Sequence, residues 1–117
     1  MPNAYETLIS LLLPPGILEF FELTDVAQTG SGLNIYLEEK NINPLEYEHE
    51  KLVSKGFMPE ITIQDFPIRG QKVTLCIKKR RWEVVQSGAI ISRNWDLVKK
   101  GTRMTTEFGA FLKGILG

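Results

Sequence analysis

Hydrophobic and polar positions change their period along the chain, and the changes separate helical ends from a β-rich middle. Asn3 followed by Glu6 has the spacing of a helix-capping pair, and leucines recur at helical intervals up to about Leu13. Pro14 and Pro15 remove backbone donors and end this helix. Residues 16–21 then predict a second short helical turn or the approach to a strand.

A period of two begins near residue 20. Residues 20–27 and 33–39 predict a hairpin, because Gly30-Ser31-Gly32 supplies the turn conformations between them. Residues 41–51 are polar and acidic and contain Pro44, which is typical of a loop or a frayed short helix.

The clearest strands flank the Pro-Ile-Arg-Gly turn at residues 67–70. Residues 60–66 alternate apolar and polar, and residues 73–77 place three aliphatic side chains on one face of a returning strand. A further hairpin is predicted to join residues 80–85 to residues 89–95.

The chain ends in an amphipathic pattern. Thr105 suits an N-cap, Glu107 suits the positive first turn, and apolar residues follow the i, i+3, i+4, i+7 spacing from Phe108 to Ile115. Because Gly109 and Gly114 weaken such a helix, we expect it to pack against the sheet or against a partner.

These elements predict a single α+β domain over residues 1–117. It has an N-terminal helix, an antiparallel sheet of about four to six strands built from β-hairpins, and a C-terminal amphipathic helix. The side chains expected to form the core are Leu8, Leu12, Phe20, Ile35, Ile61, Ile63, Val73, Leu75, Ile77, Phe108 and Leu112.

Composition narrows the possible chemistry. The single cysteine, Cys76, excludes an intrachain disulfide and a cysteine-rich zinc cluster, and His49 is the only histidine. We therefore expect no metal and no cofactor. The N-terminal apolar stretch has no preceding Lys or Arg and is too short to span a bilayer, so we expect a cytoplasmic protein without membrane contact.

Charge is divided unevenly along the chain. Residues 1–66 carry three Lys or Arg and eleven Asp or Glu, a net −8, and residues 67–117 carry eleven and three, a net +8. The basic half contains a continuous run from Lys78 to Arg81, followed by Trp82. Such a run at the end of a strand predicts a cationic rod that projects beyond the core and contacts phosphates.

The run and its neighbours define the candidate DNA-binding residues. They are Arg69, Lys72, Lys78, Lys79, Arg80, Arg81, Trp82, Arg93, Lys99, Lys100 and Arg103. The alternative is a solvated β-ribbon whose cations pair with the acidic half. For Trp82 we expect a cross-strand pair with Trp95 rather than stacking on bases.

Catalytic residues are not assigned. The three aspartates, Asp25, Asp65 and Asp96, each lie in or beside a different predicted strand, and no feature distinguishes them from surface carboxylates. Cys76 lies among aliphatic residues, which is typical of a buried inert thiol. We therefore expect a protein that is not an enzyme.

Residues 59–82 resemble a specific motif. They match, in order, the pattern I-x-D-x-P-x-x-G-x-x-V-x-L-x-[IL] followed by a basic R-R-[FW]. The matching residues are Ile63, Asp65, Pro67, Gly70, Val73, Leu75, Ile77, Arg80, Arg81 and Trp82. This pattern is similar to the N-terminal region of bacterial insertion-sequence transposases of the group often written ISL-three, and the resemblance extends over most of the chain.

The chain departs from that group in one respect. In the group, the motif leads into a zinc ribbon with Cys-x-x-Cys pairs, whereas residues 83–91 contain no cysteine. The resemblance therefore implies a variant without the zinc site, whose metal-dependent DDE catalytic domain is encoded separately.

Three hypotheses follow. The first is a non-catalytic module that recognises transposon-end DNA through the basic hairpin and acts with a separately encoded DDE transposase subunit. The second is a protein-interaction module without DNA contact, in which the C-terminal helix docks the transposase or opposite charges drive formation of a homo-oligomer. The third is a degenerate fragment that folds but has lost its role.

Overall fold

The computed structural model describes residues 3–101 and 105–116 and has the α+β architecture that the sequence predicts. The elements in chain order are α1 (Ala4–Leu12), α2 (Ile17–Phe20), β1 (Phe21–Gln28), β2 (Gly32–Glu39), a 3₁₀ turn (Leu45–Tyr47), β3 (Leu52–Phe57), β4 (Ile61–Ile68), β5 (Gln71–Lys78), β6 (Arg80–Val84), β7 (Ile90–Ser92), α3 (Trp95–Gly101) and α4 (Thr106–Leu116). A helix therefore stands near each end, with the strands between them.

Strands β1, β2, β5 and β4 form a four-stranded sheet in that order, here called sheet A. The hairpins β1–β2 and β4–β5 are the two that alternation predicts, and both are antiparallel. They join through β2 and β5, which run parallel from the Gly32–Lys72 pair to the Glu38–Lys78 pair. The parallel pair makes sheet A mixed, and local sequence patterns did not predict it.

Strands β3, β6 and β7 form a second, antiparallel sheet, here called sheet B. β3 was not predicted. The β6–β7 hairpin was predicted, but β7 ends at Ser92, and Trp95 begins α3 instead of ending a strand. The chain passes from sheet A to sheet B between β5 and β6, at Lys79.

One face of sheet A packs against α2, α3 and α4 to form the main core. The buried core residues are Leu13, Ile17, Phe21, Ile35, Leu37, Val73, Leu75, Ile77, Trp95, Phe108, Phe111, Leu112 and Ile115. Of the other predicted core residues, Phe20, Ile61 and Ile63 are half-buried against this cluster. The register of β2, β4 and β5 explains the result, since their inward positions align across the sheet.

Helix α4 packs on the protein's own sheet. Thr105 caps it, because its hydroxyl accepts from the Phe108 N–H at 3.1 Å. A side chain at Gly114 would place its Cβ 3.0 Å from Ile63, so the small residue lets the helix approach β4 closely. The expectation that α4 packs against the sheet is therefore confirmed, since its apolar face is covered by the core. Docking of a transposase by α4 stays a prediction.

Helix α1 forms as predicted but orients differently. Asn3 caps it by accepting from the Glu6 N–H at 2.8 Å. The prediction that Leu8 and Leu12 lie in the core is wrong, since both are exposed and Leu13 is buried instead. The periodicity identified the helix but not the direction of its apolar face.

Candidate nucleic-acid interface

The four cations of the basic run, and Trp82 after them, lie in different environments. Lys78 lies beside a groove on the open face of sheet A, and Arg81 is exposed on sheet B. Lys79 and Arg80 are half-buried, and Trp82 is fully buried. The predicted cationic rod is therefore wrong, because the strand ends at Lys78 and a new strand begins at Arg80 in the other sheet.

Lys79 occupies the crossover between the sheets. Its carbonyl accepts from the Met58 N–H at 2.7 Å, which fixes the chain beside β3. Its ammonium donates to the Ile115 carbonyl at 3.3 Å, in the last turn of α4. A cation is favourable there because the carbonyl end of a helix carries partial negative charge. Lys79 thus helps hold α4 in place.

A buried ion pair joins the two sheets. Glu39, at the end of β2, accepts from Arg93 Nε at 2.7 Å and from the Arg80 N–H at 2.9 Å. Arg80 Nε also donates to the Glu39 carbonyl at 3.0 Å, and its Nη1 donates to the Ser54 hydroxyl. Burial raises the pKa of Glu39, while hydrogen bonds and positive charge from Arg93 and Arg80 act in the opposite direction.

Aromatic rings surround these guanidinium groups. The Arg93 guanidinium carbon lies between 5.4 Å and 5.8 Å from the ring centres of Phe20, Trp82 and Trp95. Arg93 also donates to the Ile42 carbonyl. These distances are typical of cation–π contacts, which strengthen when water is excluded. Arg93 is therefore a structural residue, and a direct phosphate contact by it is inconsistent with its burial.

The two tryptophans are structural as well. The Trp82 indole N–H donates to Asn41 Oδ1 at 2.8 Å, and its side chain is fully buried, so it cannot stack on a base in this conformation. Trp95 stacks on Phe21, with ring centres 5.4 Å apart and planes inclined by 15°. The predicted cross-strand pair between the tryptophans is thus replaced by a pair that ties α3 to β1.

The outer face of sheet B carries exposed cations and aliphatic side chains together. This surface, here called the basic face, consists of Lys51, Val53, Lys55, Arg81, Glu83, Val85, Ile90 and Ser92. Side chains alternate between the two faces of a strand, and the alternate residues Leu52, Trp82 and Val84 point inward. The basic face therefore holds three cations and one carboxylate.

The register arranges the basic face in rows. Val53, Glu83 and Ile90 lie across from one another on the three strands, and Arg81 lies opposite Ser92. A bulge falls between Ser54 and Phe57, where Gly56 has a φ of 77°. The register that pairs Ser54 with Trp82 brings Lys55 beside Arg81, and Lys55 Nζ lies 3.8 Å from Glu83 Oε1.

Sequence reasoning missed Lys51 and Lys55. They belong to the acidic half of the sequence, yet the fold brings them to the same surface as Arg81. The available signal was a short alternation, in which Lys51, Val53 and Lys55 are separated by Leu52 and Ser54. The bulge at Gly56 breaks the alternation within β3 before the pattern becomes long enough to be distinctive.

The remaining predicted cations lie elsewhere. Arg69, with a φ of 53°, and Lys72 are exposed at the β4–β5 turn, at the opposite end of β5 from the crossover. At about 3.3 Å per residue, Lys72 and Lys78 are roughly 20 Å apart. Lys99 is exposed on α3. The side chain of Lys100 and the whole of Arg103 lie outside the described residues.

The open face of sheet A has the opposite character. A groove of about 200 Å³ is lined by the carboxylates of Asp25, Glu38 and Glu60, together with Tyr36, Cys76, Lys78 and two neighbours, Thr24 and Leu37. Burial raises the pKa of the Cys76 thiol, and the negative charge of Glu60 raises it further. Cys76 is therefore held in its less nucleophilic thiol form.

Within residues 3–101 and 105–116, His, Cys, Asp and Glu side chains do not gather in threes where they could hold a metal ion. The three aspartates stand apart, on β1, on β4 and in the first turn of α3. In the same part of the chain, no helix has the length and apolar character needed to cross a bilayer.

Comparison of the chain with protein-family profiles, with curated proteins and with solved structures gives no match. The candidate interface therefore depends on the geometry above. The motif residues from Ile63 to Trp82 serve mainly to build the fold: Val73, Leu75 and Ile77 fill the core, and Arg80 and Trp82 close the junction between the sheets.

Proposed function

We propose that the chain is a non-catalytic DNA-binding module of an insertion-sequence transposase, and that it contacts DNA through the basic face. The observation that carries this proposal is the grouping of Lys51, Lys55 and Arg81 on one exposed sheet face with a single carboxylate. Cations on neighbouring strands can neutralise adjacent phosphates along a backbone.

The exposed aliphatic residues of the basic face also support a contact surface. Val53, Val85 and Ile90 are 44%, 45% and 55% exposed. On a face bordered by cations, such side chains can pack against sugars or thymine methyl groups. The acidic groove on sheet A repels phosphate, so one sheet face favours DNA and the other disfavours it.

The transposase assignment rests on the resemblance of residues 59–82 to the N-terminal region of insertion-sequence transposases. On this proposal, a separately encoded DDE subunit performs the cutting and joining of DNA. The chain would supply recognition of transposon ends.

Fluorescence anisotropy with short labelled duplexes tests the proposal. One duplex is taken from the DNA that flanks the chain's reading frame, and a second has the same composition in scrambled order. Because each neutralised phosphate contributes about −0.9 to the slope of log K against log salt, contacts by three cations predict a slope of roughly −3. Tighter binding of the flanking duplex would support recognition of transposon ends.

Matched charge reversals locate the surface. Lys55→Glu/Arg81→Glu should weaken binding roughly tenfold or more and reduce the salt slope by about two. Arg69→Glu/Lys72→Glu changes the net charge equally but at the far end of β5, so its effect should be much smaller. Equal effects of the two variants, or no binding by the unmodified chain at low salt, would contradict the proposal.

A further inference from the structure

Helix α1 turns an uncharged apolar strip toward solvent. Tyr5, Leu8, Leu11 and Leu12 are 78%, 56%, 76% and 48% exposed, and they are here called the apolar strip. Their spacing places all four on one side of the helix. Scattered exposed leucines are ordinary, but four adjacent large apolar side chains on one helix mark an interaction surface.

Helix α1 makes little contact with the body of the protein, and none of its residues is fully buried. Glu6, Thr7 and Ser10 line a groove of about 560 Å³ whose opposite wall includes Phe21 and Leu23 of β1. Of the helix residues, only Ile9 is half-buried against the core. Glu6, Thr7 and Ser10 are themselves exposed, so neither the apolar nor the polar side of α1 is buried in the fold. Such an arrangement is favourable when the outward face is covered by another molecule.

The strip continues onto the neighbouring strand. Leu11 and Leu12 share a second groove with Phe66 and Pro67 of β4, and Phe66 is itself 63% exposed. Together with the strip, Phe66 presents roughly 600 Å² of accessible surface, against about 800 Å² per partner in a standard protein interface. The surface is therefore large enough for a modest specific interface once the polar rim is included.

The chemistry of the strip favours a second copy of the chain over a lipid surface. Helices that lie on membranes carry Lys or Arg on their polar face, whereas the first basic residue of this sequence is Lys40. The strip itself carries no charge, and the carboxylate residues Asp65 and Glu107 line only the groove at its edge beside Phe66. A two-fold axis is the commonest symmetry of soluble oligomers. We propose that two copies pair through their apolar strips, with α1 packed antiparallel on α1 and Leu8 near the axis.

Pairing of this kind is driven by apolar burial, which predicts a distinctive salt response. The dimer should persist at about 1 M NaCl as well as at about 0.1 M, because screening weakens ion pairs and leaves hydrophobic contact intact. Association through the opposite charges of the acidic groove and the basic face would instead dissolve as salt rises. The inference does not depend on DNA binding, because the strip and the basic face share no residue.

Sedimentation equilibrium of the full chain over a range of concentrations measures the pairing. The unmodified chain should show a monomer–dimer equilibrium at both salt concentrations. Leu8→Glu/Leu11→Glu should weaken dimerisation by about 100-fold or more and leave the fold intact, because both side chains are exposed. Leu45→Glu, at a comparably exposed leucine that is 73% accessible, should leave the equilibrium unchanged.

Cross-linking and vesicle binding show whether the apolar strip contacts a second copy of the chain or a lipid surface. Leu8→Cys should form a disulfide-linked dimer on mild oxidation, and Leu45→Cys should not, with unfolding curves of both variants showing an intact fold. A monomer at all concentrations, or a dimer unaffected by the double substitution, would overturn the proposal. So would co-sedimentation of a monomeric chain with phosphatidylcholine or phosphatidylglycerol vesicles that is lost in Leu8→Glu/Leu11→Glu, because the strip would then cover lipid.

Discussion

Glu39 and Arg93 form an ion pair of 2.7 Å between Oε2 and Nε, with the two side chains 0% and 6% exposed. The residues are 54 positions apart in sequence, and they tie the end of β2 in sheet A to the segment that follows β7 in sheet B. The Arg80 N–H donates to the same carboxylate. The Glu39 side chain therefore binds both the start of β6 after the crossover and the segment that follows β7.

Removing Glu39 should therefore destabilise the whole fold. Glu39→Ala leaves the buried Arg93 charge without its partner, and breaking such a pair on one side costs about 3 kcal/mol or more. Urea unfolding followed by tryptophan fluorescence measures this loss, since Trp82 and Trp95 are both buried. Glu83→Ala is the control, because its partner Lys55 is 47% exposed at 3.8 Å and the pair should contribute less than about 1 kcal/mol.

A double substitution distinguishes the lost pair from lost packing. Glu39→Leu/Arg93→Met removes both charges and keeps apolar volume, so it should be less destabilising than Glu39→Ala. If the double variant unfolded at lower urea than the single variant, the ion pair would be contributing specific stability beyond avoidance of an unpaired charge.

The sequence predicted the local parts of this fold. Asn3 and Thr105 cap helices as expected, since capping depends on residues three apart. The hairpins around residues 30 and 69 form as expected because alternation and turn residues are also local. The parallel pairing of β2 with β5 could not be predicted from local patterns. It joins segments separated by about 40 positions, and no turn between the two strands marks the pairing in the sequence.

The candidate interface was harder to predict than the fold. The run from Lys78 to Arg81 reads as a single basic strand, but its path depends on distant contacts with Glu39, Met58 and Ile115. The consecutive cations from Lys78 to Arg81 consequently lie on different parts of the protein. Charge counted along the sequence therefore identified Arg81 but not its neighbours in space, Lys51 and Lys55.

Gly32 permits the parallel contact between β2 and β5. A Cβ added at this position would lie 2.1 Å from the Lys72 carbonyl oxygen, a backbone atom that cannot move without disturbing the strand pair. We expect Gly32→Ala to lower the free energy of unfolding by about 2 kcal/mol or more. Gly30→Ala is a matched control two residues away, where a Cβ meets no atom within 4 Å, and its effect should stay within about 0.5 kcal/mol.

The outcome for these glycines checks the topology directly. Urea unfolding curves of the two variants should separate clearly. Equal stability of Gly32→Ala and Gly30→Ala would mean that β2 does not approach β5 as closely as the parallel register requires.

Asp65 should make the stability of the fold depend on pH. Burial raises its pKa, the hydrogen bond from the Phe66 N–H lowers it, and the nearby charge of Glu107 raises it. The folded state then holds the Asp65 proton more tightly than the unfolded state does. The contribution of Asp65 to stability is thus fully present below its unfolded pKa of about 3.9 and is lost as pH rises through the folded pKa.

Unfolding of the unmodified chain and of Asp65→Asn between about pH 3 and pH 7 measures this contribution. As pH rises, the free energy of unfolding of the unmodified chain should fall relative to that of Asp65→Asn. Glu107→Gln should narrow the pH range of the change, because it removes a charge that raises the pKa of Asp65. If the free energy of unfolding of the unmodified chain instead rose relative to that of Asp65→Asn as pH rose, the raised pKa of Asp65 would be contradicted.

Helices α1 and α4 have similar amphipathic sequences but opposite expected sensitivities. Leu112 is fully buried on sheet A, and Leu112→Ala should cost about 2 to 5 kcal/mol through lost burial and the cavity that remains. Leu11 is 76% exposed, so Leu11→Ala should change the stability of the monomer by no more than about 0.5 kcal/mol. The free energy of unfolding of both variants should be measured at low protein concentration, where self-association contributes little. Comparable losses would mean that α1 packs on the body of the protein through its leucines, and that its outward strip is not free for a second copy.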